Sequence, residues 1–492
     1  MLFTVTACGA ESSSVGLEAL SIEDRSDAEG YHPARAGEIL VAVRVRLLNA
    51  GAAPVPIDEG RFELARAEGS PLDADPLTAW MDGGCAGELP AGESVECVVA
   101  FALREGFEPT HAVFTADGER AEAALPARPP PGDGLRPTNQ LDLLVMSDDS
   151  GSLTEEQASF TAELPRFIAV LASGDLDADG RADVPPFDVQ AAVVSSDMGV
   201  GGFTVPTCAE PDFGDDGILE TEGRTDVSGC EAEYPGFLEF SPDAGADPAV
   251  FARDLGCLTL DTGGCGFEQP LEAVLKAVSP SQPTIWTAPG YRPPAFFEDT
   301  PGHADGANEG FVRPDSVLAI VMLSDEDDCS ASDPAIFDPS GDGPYAGTDL
   351  SLRCFAHADA ALHALSRFVE GLLQLRRDPR RVVFAPIVGL PADLEPAPGA
   401  TPHWDTLISE DPALRDDRLE ERINPAQPSQ LIPSCDLPGR GIAMPPVRIL
   451  RAAHLLEARG ARVALGSICR ERYESAFDSL VFQIVAAARG AD

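Results

Sequence analysis

Between residues 36 and 125 apolar and polar side chains alternate with period two. In EILVAVRVRLLNAG, Val41, Val43, Val45 and Leu47 fall on one side and Leu40, Ala42, Arg44 and Arg46 on the other. Successive side chains of a strand point to opposite faces, so this pattern predicts a half-buried strand. RFELARAE, VECVVAFAL and HAVFTA add further short strands, separated by the turn-rich GAAPVP, PAGES and GFEPT. Antiparallel strands at such spacing predict a small β-sandwich.

The next stretch, PARPPPGDGLRPTNQ, has no apolar period and carries five prolines and two glycines. It predicts an extended, semi-rigid spacer. The expected organisation is a tether over 1–20, a β-module over 21–125, a linker over 126–138 and a second domain over 139–492. In that second domain strand-like and helix-like segments alternate. The strands are QLDLLVMS, DVQAAVVSS, SVLAIVMLS, RRVVFAPIVGL and RVALGSI; the helices are TEEQASFTAELPRFIAVLA, FEQPLEAVLKAV, AHADAALHALSRFVEGLLQLR, PPVRILRAAHLLEARG and RYESAFDSLVFQIVAAARG. Alternation of this kind predicts an α/β class: a doubly wound, mostly parallel, Rossmann-like sheet with helices on both faces. Three segments, roughly 197–256, 279–314 and 390–440, exceed ordinary loop lengths and are rich in Pro, Gly and Asp. Several cysteines lie in them, which argues for order.

The first strand of this domain ends in SDDSGS, which places Asp148, Ser150 and Ser152 at alternate positions before a helix. The carboxyl edge of a parallel sheet is where such folds put their ligand sites. One carboxylate and two hydroxyls are hard oxygen donors of low total charge, suited to Mg²⁺ or Mn²⁺ with several waters retained. The bland alternative is a helix N-cap in which Ser152 or Thr154 accepts the first backbone N–H groups.

This D-x-S-x-S sequence resembles the metal-ion-dependent adhesion site of von Willebrand factor type A domains, over roughly residues 139–490. The resemblance implies a further aspartate at the end of a later strand, matched by Asp325 in SVLAIVMLSDEDD, with Glu326 where the family has glycine. It also implies a threonine. Thr262 in LDTGGCGFEQPLEAV sits farther before its helix than the family spacing, and Glu268 at the helix start could supply an oxygen instead. The N-terminal module, in turn, resembles the immunoglobulin-like modules found beside bacterial lipoprotein anchors.

A second metal signal is DLDADGRAD, with Asp175, Asp177, Asp179, Gly180 and Asp183 at positions 1, 3, 5, 6 and 9 of an EF-hand-like loop. Alternating aspartates can curl oxygens around Ca²⁺, and Gly180 permits the turn. Position 12 is Pro186 rather than a bidentate Glu. DFGDDG and SGDG are accounted for by turn chemistry alone. DSGS also suggests a serine-protease nucleophile loop, but Asp149 replaces the expected glycine and no histidine is suitably placed. The seven histidines form no HExxH or other ligand pair and are expected at surface or packing positions.

With 82 acidic against 34 basic residues the formal charge is −48, which excludes nucleic acid as a partner and favours cations. The single lysine, Lys276, among many arginines fits a GC-rich genome. No apolar run is long enough for a membrane helix. Near the start, Val5-Thr6-Ala7-Cys8 resembles a bacterial lipobox, so Cys8 is the expected lipidation site, with a true start upstream of Met1 and Gly9 favouring outer-membrane sorting. Removing Cys8 from 11 cysteines leaves ten, none in a CxxC pair. An even set implies disulfides in an oxidising compartment. Sequence leaves connectivity open; neighbours in order would give Cys85–Cys97, Cys208–Cys230, Cys257–Cys265, Cys329–Cys354 and Cys435–Cys469.

The expected function is that of an envelope lipoprotein binding a protein ligand through a cation that the ligand's carboxylate completes. A metal-dependent hydrolase and a protein whose metals only stabilise the fold are the alternatives. No general base or nucleophile with a partner accompanies the site, so no enzyme activity is expected.

Overall fold

In the computed structural model the chain divides into two compact units, residues 1–134 and 135–492. The residues described are 14–24, 39–66, 70–75, 78, 84–103, 109–116, 119–125, 138–260, 263–437 and 441–489. Cys8 and all but the last residue of the 126–138 linker lie outside them.

The first unit holds β1 (Val15–Asp24), β2 (Ile39–Asn49), β3 (Val55–Ile57), β4 (Phe62–Ala65), β5 (Leu72–Asp73), β6 (Gly87–Leu89), β7 (Ser94–Leu103), β8 (His111–Ala116) and β9 (Glu119–Ala124). Among its described residues all pairings between strands are antiparallel: β1-β2-β7, β3-β6 and β5-β4-β8-β9. Val41, Val43, Val45 and Leu47 enter one core with Val99, Phe101, Phe62 and Phe114. Arg44 and Arg46 take the exposed side, as the period-two pattern requires.

The second unit runs β10 (Gln140–Ser147), α1 (Thr154–Ser173), β11 (Asp188–Ser195), β12 (Leu238–Phe240), α2 (Pro248–Thr259), α3 (Pro270–Val278), β13 (Val317–Leu323), α4 (Arg353–Ala356), α5 (Ala358–Ala361), α6 (Leu365–Leu373), β14 (Val382–Val388), α7 (Trp404–Ile408), β15 (Cys435–Leu437), β16 (Gly441–Ala443), α8 (Val447–Glu457), β17 (Arg462–Val463), β18 (Gly466–Ser467) and α9 (Glu474–Arg489). Its main sheet has the order β12-β11-β10-β13-β14-β17, with β18 also on β14. Every other residue of β10 serves a different core. Leu141, Leu143 and Val145 pack with α1, α2 and α9, while Leu144 and Met146 pack with α3, α6 and α8.

The expectation of a doubly wound, mostly parallel sheet is corrected. Among the described residues four of the five sheets are antiparallel, and the one with parallel strands is mixed, because β12 joins β11 antiparallel. The reason is local. Short hairpins favour antiparallel partners, and the 197–256 segment returns toward β11 to lay down a three-residue edge strand.

Among the described residues there are five disulfides. Cys85–Cys97, Cys329–Cys354 and Cys435–Cys469 join neighbours in order. The middle four do not: Cys208 pairs with Cys265 and Cys230 with Cys257. Cys257 sits on α2, so the second bond ties the 197–256 segment to a helix packed on the main sheet.

Candidate metal centre

Strands β10 and β13 are parallel neighbours with Ser147 opposite Leu323, so Asp148 and Ser324 emerge side by side. The Asp148 N–H donates to the Leu323 carbonyl (3.0 Å). Ser324 Oγ donates to Asp148 Oδ2 (2.8 Å), and the Ser150 N–H donates to Asp148 Oδ1 (2.8 Å). Gln157, buried on α1, holds the turn by donating Nε2 to the Asp148 carbonyl (2.9 Å). Ser150 Oγ and Ser152 Oγ lie 2.8 Å apart, and Ser152 Oγ donates to Asp325 Oδ1 at 3.4 Å. Asp148, Ser150, Ser152 and Asp325 therefore converge. Asp148, Ser150 and Asp325 are buried and Ser152 is exposed, so the group opens to solvent on the Ser152 side.

The hydroxyls are not spent on the helix end. Leu153 is the N-cap of α1 and no side chain caps it. Thr154 Oγ1 instead donates to the Gly151 carbonyl, at 3.4 Å.

Glu268, just before α3, is also buried. Burial first, then the charges of Glu326, Asp148 and Asp325, holds its carboxyl well above the ordinary range. Asp325 is pushed up to about 8 by burial, then by Asp148 and Glu326. Burial also raises Asp148, against its hydrogen bonds from Ser150 and Ser324. Thr262, the other candidate, lies outside the described residues. Among the described residues no lysine or arginine offsets Asp148, Glu268 or Asp325. Buried carboxylates left without a counter-charge either keep their protons or gain a cation. The donor set, hard oxygens on three elements with one open side, fits Mg²⁺ or Mn²⁺.

A neighbouring group was not assigned from the sequence. Carboxylate oxygens of Asp149, Asp197 and Asp215 all lie within 4.8 Å of one another. Ser195 Oγ donates to Asp215 Oδ2 (2.6 Å), Ser196 Oγ to Asp149 Oδ1 (3.4 Å) and the Gly199 N–H to Asp197 Oδ1 (2.8 Å). Asp149 rises to about 8 through burial and then the charges of Asp148, Asp197 and Asp215; burial lifts Asp197 to about 6. The signal was available: SSD closes β11 as SDD closes β10, with Ser195 opposite Ser147. DFGDDG, assigned to turn chemistry alone, contributes Asp215 to this group and Asp216 to an ion pair with the buried Lys276.

Gly264 closes over Asp149, since a Cβ there would stand 1.7 Å from Asp149 Oδ2. Gly264→Ala is expected to cost about 2–3 kcal/mol in urea unfolding by forcing the carboxylate or loop aside. Gly263→Ala, with nothing within 4 Å of its Cβ, should stay within about 0.5 kcal/mol of wild type. Equal costs for the two would contradict this placement.

In the aspartate loop, oxygens of Asp175, Asp177 and Asp183 come within 4.8 Å of one another. Asp179 turns elsewhere, accepting the Arg181 N–H at 2.9 Å on Oδ1. Gly180 takes a positive φ of 87° and donates its N–H to Asp175 Oδ2 (2.8 Å).

No protein-family model matches the chain, and no curated protein matches it. Among solved structures it is similar over part of its length to MPT63, a secreted protein from Mycobacterium tuberculosis, at 14% identity over 22% of this chain and 82% of that one, TM-score 0.17. A putative lipoprotein from Bacillus subtilis matches at 15% identity over 35% of this chain and 49% of its own, TM-score 0.23. An ApaG protein from Pseudomonas aeruginosa matches at 20% identity over 20% and 85%, TM-score 0.14. With TM-scores this low none carries a fold or function to this chain, and none points to von Willebrand factor type A domains. Among the described residues no helix is long and apolar enough to cross a membrane.

Proposed function

We propose that Asp148, Ser150, Ser152 and Asp325 hold Mg²⁺ or Mn²⁺, and that the chain uses this cation to bind a protein ligand offering a carboxylate. The observation that carries the reading is the convergence of four oxygen-bearing side chains on one edge with no cationic side chain among the described residues to balance them. Glu268 is near enough to feel the charges of Asp148 and Asp325, but the three carboxylates do not all come within 4.8 Å of one another. The cation would supply an electrophilic position that a ligand carboxylate completes. Ser324 holds Asp148 in place through its hydroxyl, and the exposed Ser152 side admits the ligand.

The five disulfides among the described residues support an oxidising, extracytoplasmic setting. Within it we place the chain at the cell envelope, anchored in the outer membrane through lipidated Cys8. Ca²⁺ at Asp175, Asp177 and Asp183 would brace the turn after α1, remote in role from ligand binding.

Calorimetric titration with Mg²⁺ tests the reading. A single binding event is expected for wild type and at least a 100-fold loss of affinity for Ser150→Ala/Ser152→Ala, about 2.7 kcal/mol or more. Equal binding by the two proteins would sink it.

A further inference from the structure

The main sheet ends at β12, whose strand partner among the described residues is β11 alone. Backbone N–H and C=O groups of a strand point alternately to its two sides, so those not aimed at β11 face outward. Among the described residues of this unit the outward groups meet no other backbone group. A row of this kind is a template for one more strand.

A cleft of about 630 Å³ lies at this edge, and both faces of the sheet wall it. Val250 and Phe251 of α2 line it from the face on which Leu238 and Phe240 are packed. Leu219 and Phe237 line it from the opposite face, where both belong to the other core. Leu238 and Glu239 of β12 lie between these walls. The cleft therefore sits beside the open side of the strand. Val250 is 41% exposed and Phe237 only partly buried, so apolar surface is left uncovered there.

The charged side chains lining the cleft are all carboxylates: Glu239, Asp247, Asp254 and Glu309. Two are engaged. Asp247 caps α2 by accepting the Ala249 N–H at 2.9 Å, and Asp254 pairs with Arg253 at 2.6 Å. Glu239 and Glu309 are exposed and form no ion pair among the described residues. Glu309 is two residues from Phe311, whose ring centroid is 6.0 Å from that of Phe237, so both free carboxylates stand on the Phe237 side.

We propose that β12 accepts an added strand from a partner protein, an extended segment in which Lys or Arg alternates with Val or Ile. Successive side chains of such a strand fall on opposite faces of the sheet. The basic ones belong over Glu239 and Glu309, and the apolar ones against Val250 and Phe251. Hydrogen bonds to the β12 backbone hold the segment, and the two faces select its side chains. This surface uses none of the residues of the cation edge.

The probe is fluorescein-labelled Gly-Lys-Val-Lys-Val-Lys-Gly, titrated with the full chain in EDTA at physiological ionic strength and followed by anisotropy. An acidic protein attracts any basic peptide, so the test turns on the peptide backbone. One peptide is N-methylated at its lysines and another at its valines, which removes alternate N–H donors. Only one of these sets faces β12, so one peptide should lose at least tenfold in affinity and the other should stay within about twofold of the parent. Glu239→Lys/Glu309→Lys should lose the basic peptide and bind Gly-Glu-Val-Glu-Val-Glu-Gly instead, a reversal that misfolding could not produce.

Equal losses from the two methylated peptides, or no loss from either, would overturn strand addition. Basic-peptide binding within twofold of wild type in the charge-reversed variant would overturn the assignment to this edge.

Discussion

Asp142→Ala is expected to destabilise the second unit by about 3–5 kcal/mol, the cost of leaving a buried charge without its partner. Asp142 is fully buried on β10, the central strand of the main sheet. Its Oδ1 accepts Arg313 Nε at 2.7 Å and its Oδ2 accepts the Arg313 backbone N–H, also at 2.7 Å. Ser316 Oγ donates to the same carboxylate, and Arg376 Nη2 reaches it at 3.4 Å. Burial pulls the Arg376 guanidinium down to about 10, and the Asp142 charge opposes that fall. Removing the carboxylate leaves Arg376, 2% exposed, with only carbonyl and hydroxyl acceptors. Asp142→Asn keeps the volume and loses the charge, so a cost of similar size is expected from it. Urea unfolding of the full chain, resolved into its separate transitions, measures the effect. A change below about 1 kcal/mol in both variants would show that the network contributes little to stability.

In the absence of divalent cations the second unit should lose stability as pH rises from about 4 to about 8, and added Mg²⁺ should reverse the trend. Asp149 and Asp325 are held at about 8 and Asp197 at about 6 when folded. In the unfolded chain all three return to about 3.9. Between those limits the folded state binds more protons than the unfolded one, so stability falls with pH; below about 4 both states are protonated and the contribution is fully present. A bound cation favours the ionised carboxylates, which makes its affinity rise over the same window. The urea midpoint in EDTA should therefore be lower at about pH 8 than at about pH 5, with the gap narrowed by Mg²⁺ in wild type. Asp149→Asn should flatten the EDTA slope. A midpoint that rises with pH in EDTA would contradict the charge balance assigned to this edge.

The buried strands were legible because each is an unbroken apolar run of strand length: QLDLLVMS became Gln140–Ser147 and DVQAAVVSS became Asp188–Ser195. What paired with what was not legible. The class inferred from strand and helix alternation was overturned by the antiparallel sheets and by β12, whose three residues are too few to show a period. Helix α2 was hidden too. Phe251, Leu255 and Leu258 have helical spacing, but the surrounding Pro, Gly and Asp read as loop. The segment AHADAALHALSRFVEGLLQLR was read as one helix, yet Leu362 bridges to Ala331 and splits it into α5 and α6. Pairing cysteines by order failed for Cys208, Cys230, Cys257 and Cys265, because distance along the chain is a poor guide to distance in space where a long segment folds back on a sheet.

The candidate site shows the same division. Asp148, Ser150 and Ser152 lie within five residues, so local pattern sufficed to find them. Asp325 came from the resemblance, and its approach to Ser152 depends on the parallel register of β10 and β13. Asp197 and Asp215 belong to segments that acquire meaning only when β11 lies beside β10.

The most direct test of the cation reading is an anomalous-difference map from crystals soaked in Mn²⁺. The expected result is a peak among Asp148, Ser150, Ser152 and Asp325 that is absent from Ser150→Ala/Ser152→Ala crystals. Density only at Asp149, Asp197 and Asp215, only at the Asp175 loop, or at none of these groups would contradict it.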